Sequence, residues 1–288
     1  MRSIVAIIAA MIGISAVFGG DANPFSPASV PHGKASVRLD VNPGNSMLLI
    51  DAKVDGHPCR LIFDTGATHT TLDRAFVRDV LKRQDVQPVD VTGDTNVEER
   101  PGVFKVESFV IGDAAFGAFM MMSLDLSRVS RSVGKEVHGV LGMNVIASTP
   151  MLLSVKDSVA VFNPEKEIAR DFPPPVKSLT FEAPVFAAEK NGRKFPVLVD
   201  SGSSITYMTE GFWPVDEAAP AAAIGATDVN GSGAIGGKPG IEGRFDAGPA
   251  FTIRPLVAAR SESTIGSDTL RSVDMLMRLP YISFRERK

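Results

Sequence analysis

The chain has 288 residues, which at roughly 150 residues per domain favours two domains, with one large all-β domain as the alternative. Its 30 basic and 33 acidic residues leave a net charge of −3, so there is no electrostatic reason to expect nucleic-acid binding. One cysteine excludes an intrachain disulfide framework and a cysteine-rich zinc site. Four scattered histidines (His32, His57, His69, His138) argue against a His-ligated metal, so the chemistry is expected to need neither metal nor cofactor.

Residues 1–20 place Arg2 before an apolar run from Ile4 to Phe18 and then small residues, the pattern of a secretory signal peptide. The run falls short of the roughly 20 residues that span a bilayer, so an uncleaved anchor is the minor alternative and no stable membrane insertion is expected once the leader is removed. An exported protein follows, periplasmic or extracellular. Residues 21–34 carry three prolines without apolar periodicity and read as a flexible segment.

An internal repeat then organises the chain. Segment 54–72, VDGHPCRLIFDTGATHTTL, aligns without a gap on segment 190–208, KNGRKFPVLVDSGSSITYM. Asp55-Gly56 and Asn191-Gly192 are two-residue hairpin signals, each followed by a short apolar strand ending in an aspartate, Asp64 or Asp200. Between the repeats, residues 73–82 have the apolar spacing of a short amphipathic helix, and residues 91–103 suit an exposed hairpin. The strands of 109–126 and 151–162 lead to Pro173-Pro174-Pro175, the natural boundary. The organisation is thus residues 35–170 as a first lobe, 171–175 as a proline linker and 176–288 as a second lobe. In the second lobe, residues 225–248 hold eight glycines in 24 positions and are expected to be mobile or poorly ordered.

A strand ending in Asp, a small hydroxyl residue and Gly forces a tight turn that presents the carboxylate. One such turn is a common surface sequence; two at equivalent repeat positions suggest carboxylates facing each other across a pseudo-twofold axis and sharing a proton. Through FDTGAT at 63–68, VDSGSS at 199–204 and VLG at 140–142, the chain resembles the pepsin and retropepsin superfamily of aspartic peptidases. That resemblance implies an all-β fold of two pseudo-twofold-related, β-barrel-like lobes with short helices, each lobe like a retropepsin protomer. It implies a catalytic pair of Asp64 and Asp200. Thr65 and Ser201 would cross-link the active loops, Gly66 and Gly202 would permit the turns, Ala67 and Ser203 would flank the carboxylates, and Gly142 and Gly266 would lie beside the loops. The activity implied is that of an endopeptidase acting on peptide or protein substrates, and the fused repeat lets a monomer supply both aspartates. The alternative is a non-catalytic exported peptide-binding or scaffold protein that retains the lobes.

Three departures from the family pattern matter. Ala67 stands where the other half has Ser203, and a hydroxyl there can favour the charged form of its aspartate, so Asp64 is expected to hold the shared proton. The two tyrosines are Tyr207 and Tyr281, leaving no flap tyrosine in the first lobe. Thr264 replaces an apolar residue before Ile265-Gly266. Elsewhere, Gly231-Ser-Gly233-Ala-Ile-Gly236 is a literal G-x-G-x-x-G, but the following Gly-Lys-Pro-Gly would break the helix that a dinucleotide site needs. Met120-Met121-Met122 reads as core or cleft wall, and Cys59 as a buried side chain.

Overall fold

The computed structural model describes residues 23–43, 46–84, 101–228, 231–246, 248–260 and 262–287. The expected leader, and most of the first-lobe hairpin expected at 91–103, lie outside the described residues. The protein is mostly β, with short helices.

Each half is built on a hairpin whose turn follows from its two central residues. Asp55 and Gly56 take φ of 48° and 84°, and Asn191 and Gly192 take 52° and 72°. Both pairs thus have the double positive φ of a turn whose twist matches a right-twisted hairpin. In the first half Leu48–Val54 pairs with His57–Phe63; in the second Val185–Lys190 pairs with Arg193–Val199. The apolar ends of the return strands, Leu61-Ile62-Phe63 and Val197-Leu198-Val199, are buried. Each lies parallel to a later strand of its own half, Gly139–Leu141 or Ser263–Ile265. That pairing sets each aspartate turn beside a glycine from more than sixty residues downstream.

A third sheet joins the halves. Its order is Ala35–Arg38, Val159–Phe162, Met151–Ser154, Val273–Arg278, Tyr281–Glu286 and Val176–Lys177, three strands from each side of Pro173–Pro175. At its centre Leu152 pairs with Leu276. These leucines are 124 residues apart, as are Gly142 and Gly266, so the pseudo-twofold axis passes through that pair. The main apolar cluster runs through both halves and this sheet, from Phe109 and Phe162 to Phe186 and Phe284. Asp274 is buried in the same sheet, with Arg285 Nη2 at 2.6 Å and Arg287 Nε at 3.1 Å.

Three segments differ from expectation. The helix expected over 73–82 is shorter, Arg74–Asp79. Asp73 Oδ1 caps it, accepting from the Ala75 and Phe76 amides at 2.9 and 3.2 Å, and Lys82 at φ 53° turns the chain away. Much of the described part of 225–248 is in strands: Ala222–Asp228 pairs antiparallel with Gly231–Pro239, and Gly237–Pro239 pairs on with Leu256–Ala258. Backbone ladders need no side chains to bury, which is why glycine content misleads here. At Gly237 a Cβ would lie 2.3 Å from the Val257 carbonyl oxygen, so glycine admits the neighbouring strand. The G-x-G-x-x-G run lies on a strand, without the strand-to-helix turn of a dinucleotide site. Finally, the segment read as flexible at 21–34 is, over its described residues 23–34, packed against the first half, with Phe25 only 1% exposed.

Candidate active site

Asp64 and Asp200 emerge at the ends of their return strands and are 1% and 2% exposed. Their amides donate to Leu141 O (3.1 Å) and Ile265 O (2.9 Å), anchoring each turn to its parallel neighbour. Asp64 Oδ1 accepts from the Gly66 and Ala67 amides at 2.8 and 3.1 Å; Asp200 Oδ1 accepts from Gly202 and Ser203 at the same distances.

The two turns are tied to each other. The Thr65 amide donates to Ser201 Oγ and the Ser201 amide to Thr65 Oγ1, both at 3.0 Å. Thr65 Oγ1 in turn donates to Val199 O at 2.7 Å, and Ser201 Oγ to Phe63 O at 2.8 Å. Each hydroxyl is thus both acceptor and donor across the axis. The glycines are dictated by the opposing carboxylate: a Cβ on Gly66 would sit 2.6 Å from Asp200 Cγ, and one on Gly202 would sit 2.4 Å from Asp64 Cγ. Neither turn could close on its partner with any larger residue.

Behind the turns, the Gly142 amide donates to Thr70 Oγ1 at 3.1 Å and the Gly266 amide to Thr206 Oγ1 at 3.0 Å. Thr70 donates through its amide and hydroxyl to Asn144 Oδ1, both at 2.8 Å. Thr206 donates likewise to Asp268, at 3.0 Å from the amide and 2.6 Å from the hydroxyl. A Cβ on Gly142 would meet the His69 backbone at 2.5 Å, and one on Gly266 the Ile205 carbonyl oxygen at 2.1 Å. The structure thus gathers all ten residues singled out from the sequence around one centre. It adds Thr70, Thr206, Asn144 and Asp268, whose signal was available: the threonines stand six residues after each aspartate, the polar pair two after each glycine.

Electrostatically, burial pushes both carboxyls of the pair upward. Burial raises Asp64 to about 6, moderated by its hydrogen bond with Asp200 and by backbone amides. Burial raises Asp200 well above the usual carboxylate range, reinforced by the charge of Asp64 and, further off, of Glu262. The expectation for Asp64 relied on the Ser203 hydroxyl, which instead donates to Ile205 O at 2.8 Å. Thr264 is fully buried at the register position opposite Tyr207. The first half has Val140 opposite Thr71 in that place. Tyr207 is buried, its hydroxyl 3.3 Å from Glu262 Oε1 and its ring beneath Arg260. Met121 and Met122 are buried, as is Cys59, whose thiol burial pushes up to about 12.

The family model described as "Aspartyl protease" matches residues 50–145, a span that holds the Asp64 turn and Gly142. A soybean structure, basic 7S globulin, superposes with a TM-score of 0.54 at 12% identity, covering 88% of this chain and 95% of that one. The fold is that of a pepsin/retropepsin-type aspartic peptidase. Within this aspartic peptidase fold the family match lies in the first half, and the second half repeats the hydrogen bonds that tie the two turns together and to their downstream glycines. A retropepsin-like aspartic protease from Rickettsia conorii also matches, at 18% identity and a TM-score of 0.33, covering 46% of this chain and 92% of that one. No curated protein matches the chain. Among the described residues, no cluster of three or more His, Cys, Asp or Glu could hold a metal, and no helix is long and apolar enough to cross a membrane.

Proposed function

We propose that the protein is an exported aspartic endopeptidase in which Asp64 and Asp200 are the catalytic residues. The observation that carries this reading is the pair itself: two buried carboxyls on hydroxyl-cross-linked glycine turns, both pushed above the usual carboxylate range by burial. A water lying between them would lose a proton to ionised Asp64 as its oxygen bonds to the peptide carbonyl carbon, while protonated Asp200 polarises the carbonyl oxygen. The tetrahedral adduct then collapses with cleavage of the C–N bond, the proton taken up by Asp64 passing to the departing amine. Export rests on the leader pattern of residues 1–20, and the periplasm or the external medium would be the compartment. Peptide and protein chains would be the substrates, and a monomer would suffice because one chain carries both aspartates.

The test is cleavage of a diverse peptide mixture between acidic and neutral pH by the mature protein, beside Asp64→Asn and Asp200→Asn. Loss of at least a thousandfold in kcat in each variant is expected; cleavage surviving in either would overturn the shared pair. In the wild type, activity should rise through about pH 6 as Asp64 ionises and fall again when Asp200 loses its proton. No cleavage by the wild type at any pH would favour a peptide-binding role.

A further inference from the structure

The two halves repeat each other around the aspartate turns, and one place where they part company is Asn144 against Asp268. Both accept from the threonine behind the turn. Asn144 spends a single oxygen on both Thr70 bonds, which leaves its amide nitrogen to donate to Phe25 O at 2.7 Å. Asp268 has no such donor; its oxygens take Thr206 and the Thr269 amide, and it borders an open cavity of about 270 Å³ with Arg254 and Ser272.

In the first half that place is covered by residues 23–31, which form a strap. The Met120 amide donates to Pro24 O (2.8 Å), the Ala28 amide to Ala118 O (3.0 Å), the Gly117 amide to Ser29 O (2.9 Å), and Asn163 Nδ2 to Pro31 O. The Phe25 ring packs on Val103, Met122 and Met120 and meets the His69 ring edge-on at 4.8 Å. The interface is built for the strap, because a Cβ on Gly117 would lie 2.6 Å from Ser29 Oγ and 2.8 Å from its amide nitrogen.

We propose that the 23–31 strap, seated by Phe25 and Asn144, is a positioning element for the Asp64 turn: it holds Asn144, Asn144 holds Thr70, and Thr70 holds Gly142 beside the turn. Among the described residues the second half has no such strap, so its turn is an internal control. This rests on the peptidase reading only for its kinetic consequence.

The experiment compares Gly117→Ala, Phe25→Ala and Phe25→Leu in the full mature chain, none of which touches the aspartates. Hydrogen exchange is followed over residues 64–71 and over the equivalent residues 200–207. Gly117→Ala and Phe25→Ala should speed exchange about tenfold over 64–71, leave 200–207 unchanged, and lower kcat about tenfold with KM within twofold. Phe25→Leu should restore both readouts. Faster exchange in the strap with no change over 64–71, or an equal change in both turns, would overturn the proposal. If the wild type cleaves nothing, the peptidase reading fails while the exchange pattern still decides the strap.

Discussion

At the scale of single residues, the aspartate pair is a stability liability as well as a chemical device. A carboxyl whose folded pKa lies above its unfolded value binds a proton that the unfolded chain has released, so stability falls as pH rises between the two. For Asp64 that window runs from about 4, the ordinary carboxylate value, to about 6. Asp64→Asn removes the burden. We expect it to raise stability at pH 7 by about 3 kcal/mol, the equivalent of roughly two pKa units, with the gain vanishing below pH 4. Thermal unfolding of both proteins from pH 3 to pH 8 measures this, and a gain that persists at pH 3 would show that the cause is packing, not ionisation. The paired hydroxyls act in the other direction. Ser201→Ala strips an acceptor from the Thr65 amide and a donor from Phe63 O, both buried, and should cost about 2–3 kcal/mol at all pH values.

At the scale of elements, local chemistry decides where segments begin and turn. The hairpin signals Asp55-Gly56 and Asn191-Gly192 were legible because both residues must adopt positive φ, a demand that few dipeptides meet. The helix after the first repeat was legible in place but not in length. Its cap, Asp73, does two jobs: Oδ1 holds the first turn and Oδ2 accepts from the Leu126 amide at 3.0 Å, 53 residues away. Asp73→Ala should therefore cost more than the roughly 1 kcal/mol of an ordinary cap. Asp73→Ser keeps the cap but cannot reach both partners, and should recover only part of the loss; denaturant unfolding of the two variants separates cap from tether. The glycine-rich hairpin and the strap were illegible for a shared reason. Both are held by backbone hydrogen bonds to partners distant in sequence, and composition carries no record of those bonds.

At the scale of the whole molecule, the proline boundary suggests two independent lobes, yet the sheet at the base takes three strands from each side of it and the core is continuous across it. We expect a single cooperative unfolding transition, with calorimetric and van't Hoff enthalpies equal. Two separable transitions would show that the shared sheet does not couple the halves. Asp274 lies in that sheet as the common partner of Arg285 and Arg287, so Asp274→Ala should cost about 3 kcal/mol. It should also shift the one transition without splitting it.

What the sequence determined alone was the repeat: two hairpins, two aspartate turns and their downstream glycines, since each is local chemistry written at a fixed spacing. How burial shifts the two carboxyls, what the glycines accommodate and what braces each turn were decided only by the tertiary structure. The field at Asp200 comes from burial together with Asp64 and Glu262. Gly66 and Gly202 are required by the carboxylate of the other half. The difference between Asn144 and Asp268 acquires meaning only when a strap 119 residues earlier in the chain is seen to cover one of them. These are relations between segments far apart in sequence, and they exist only once the chain has closed on itself.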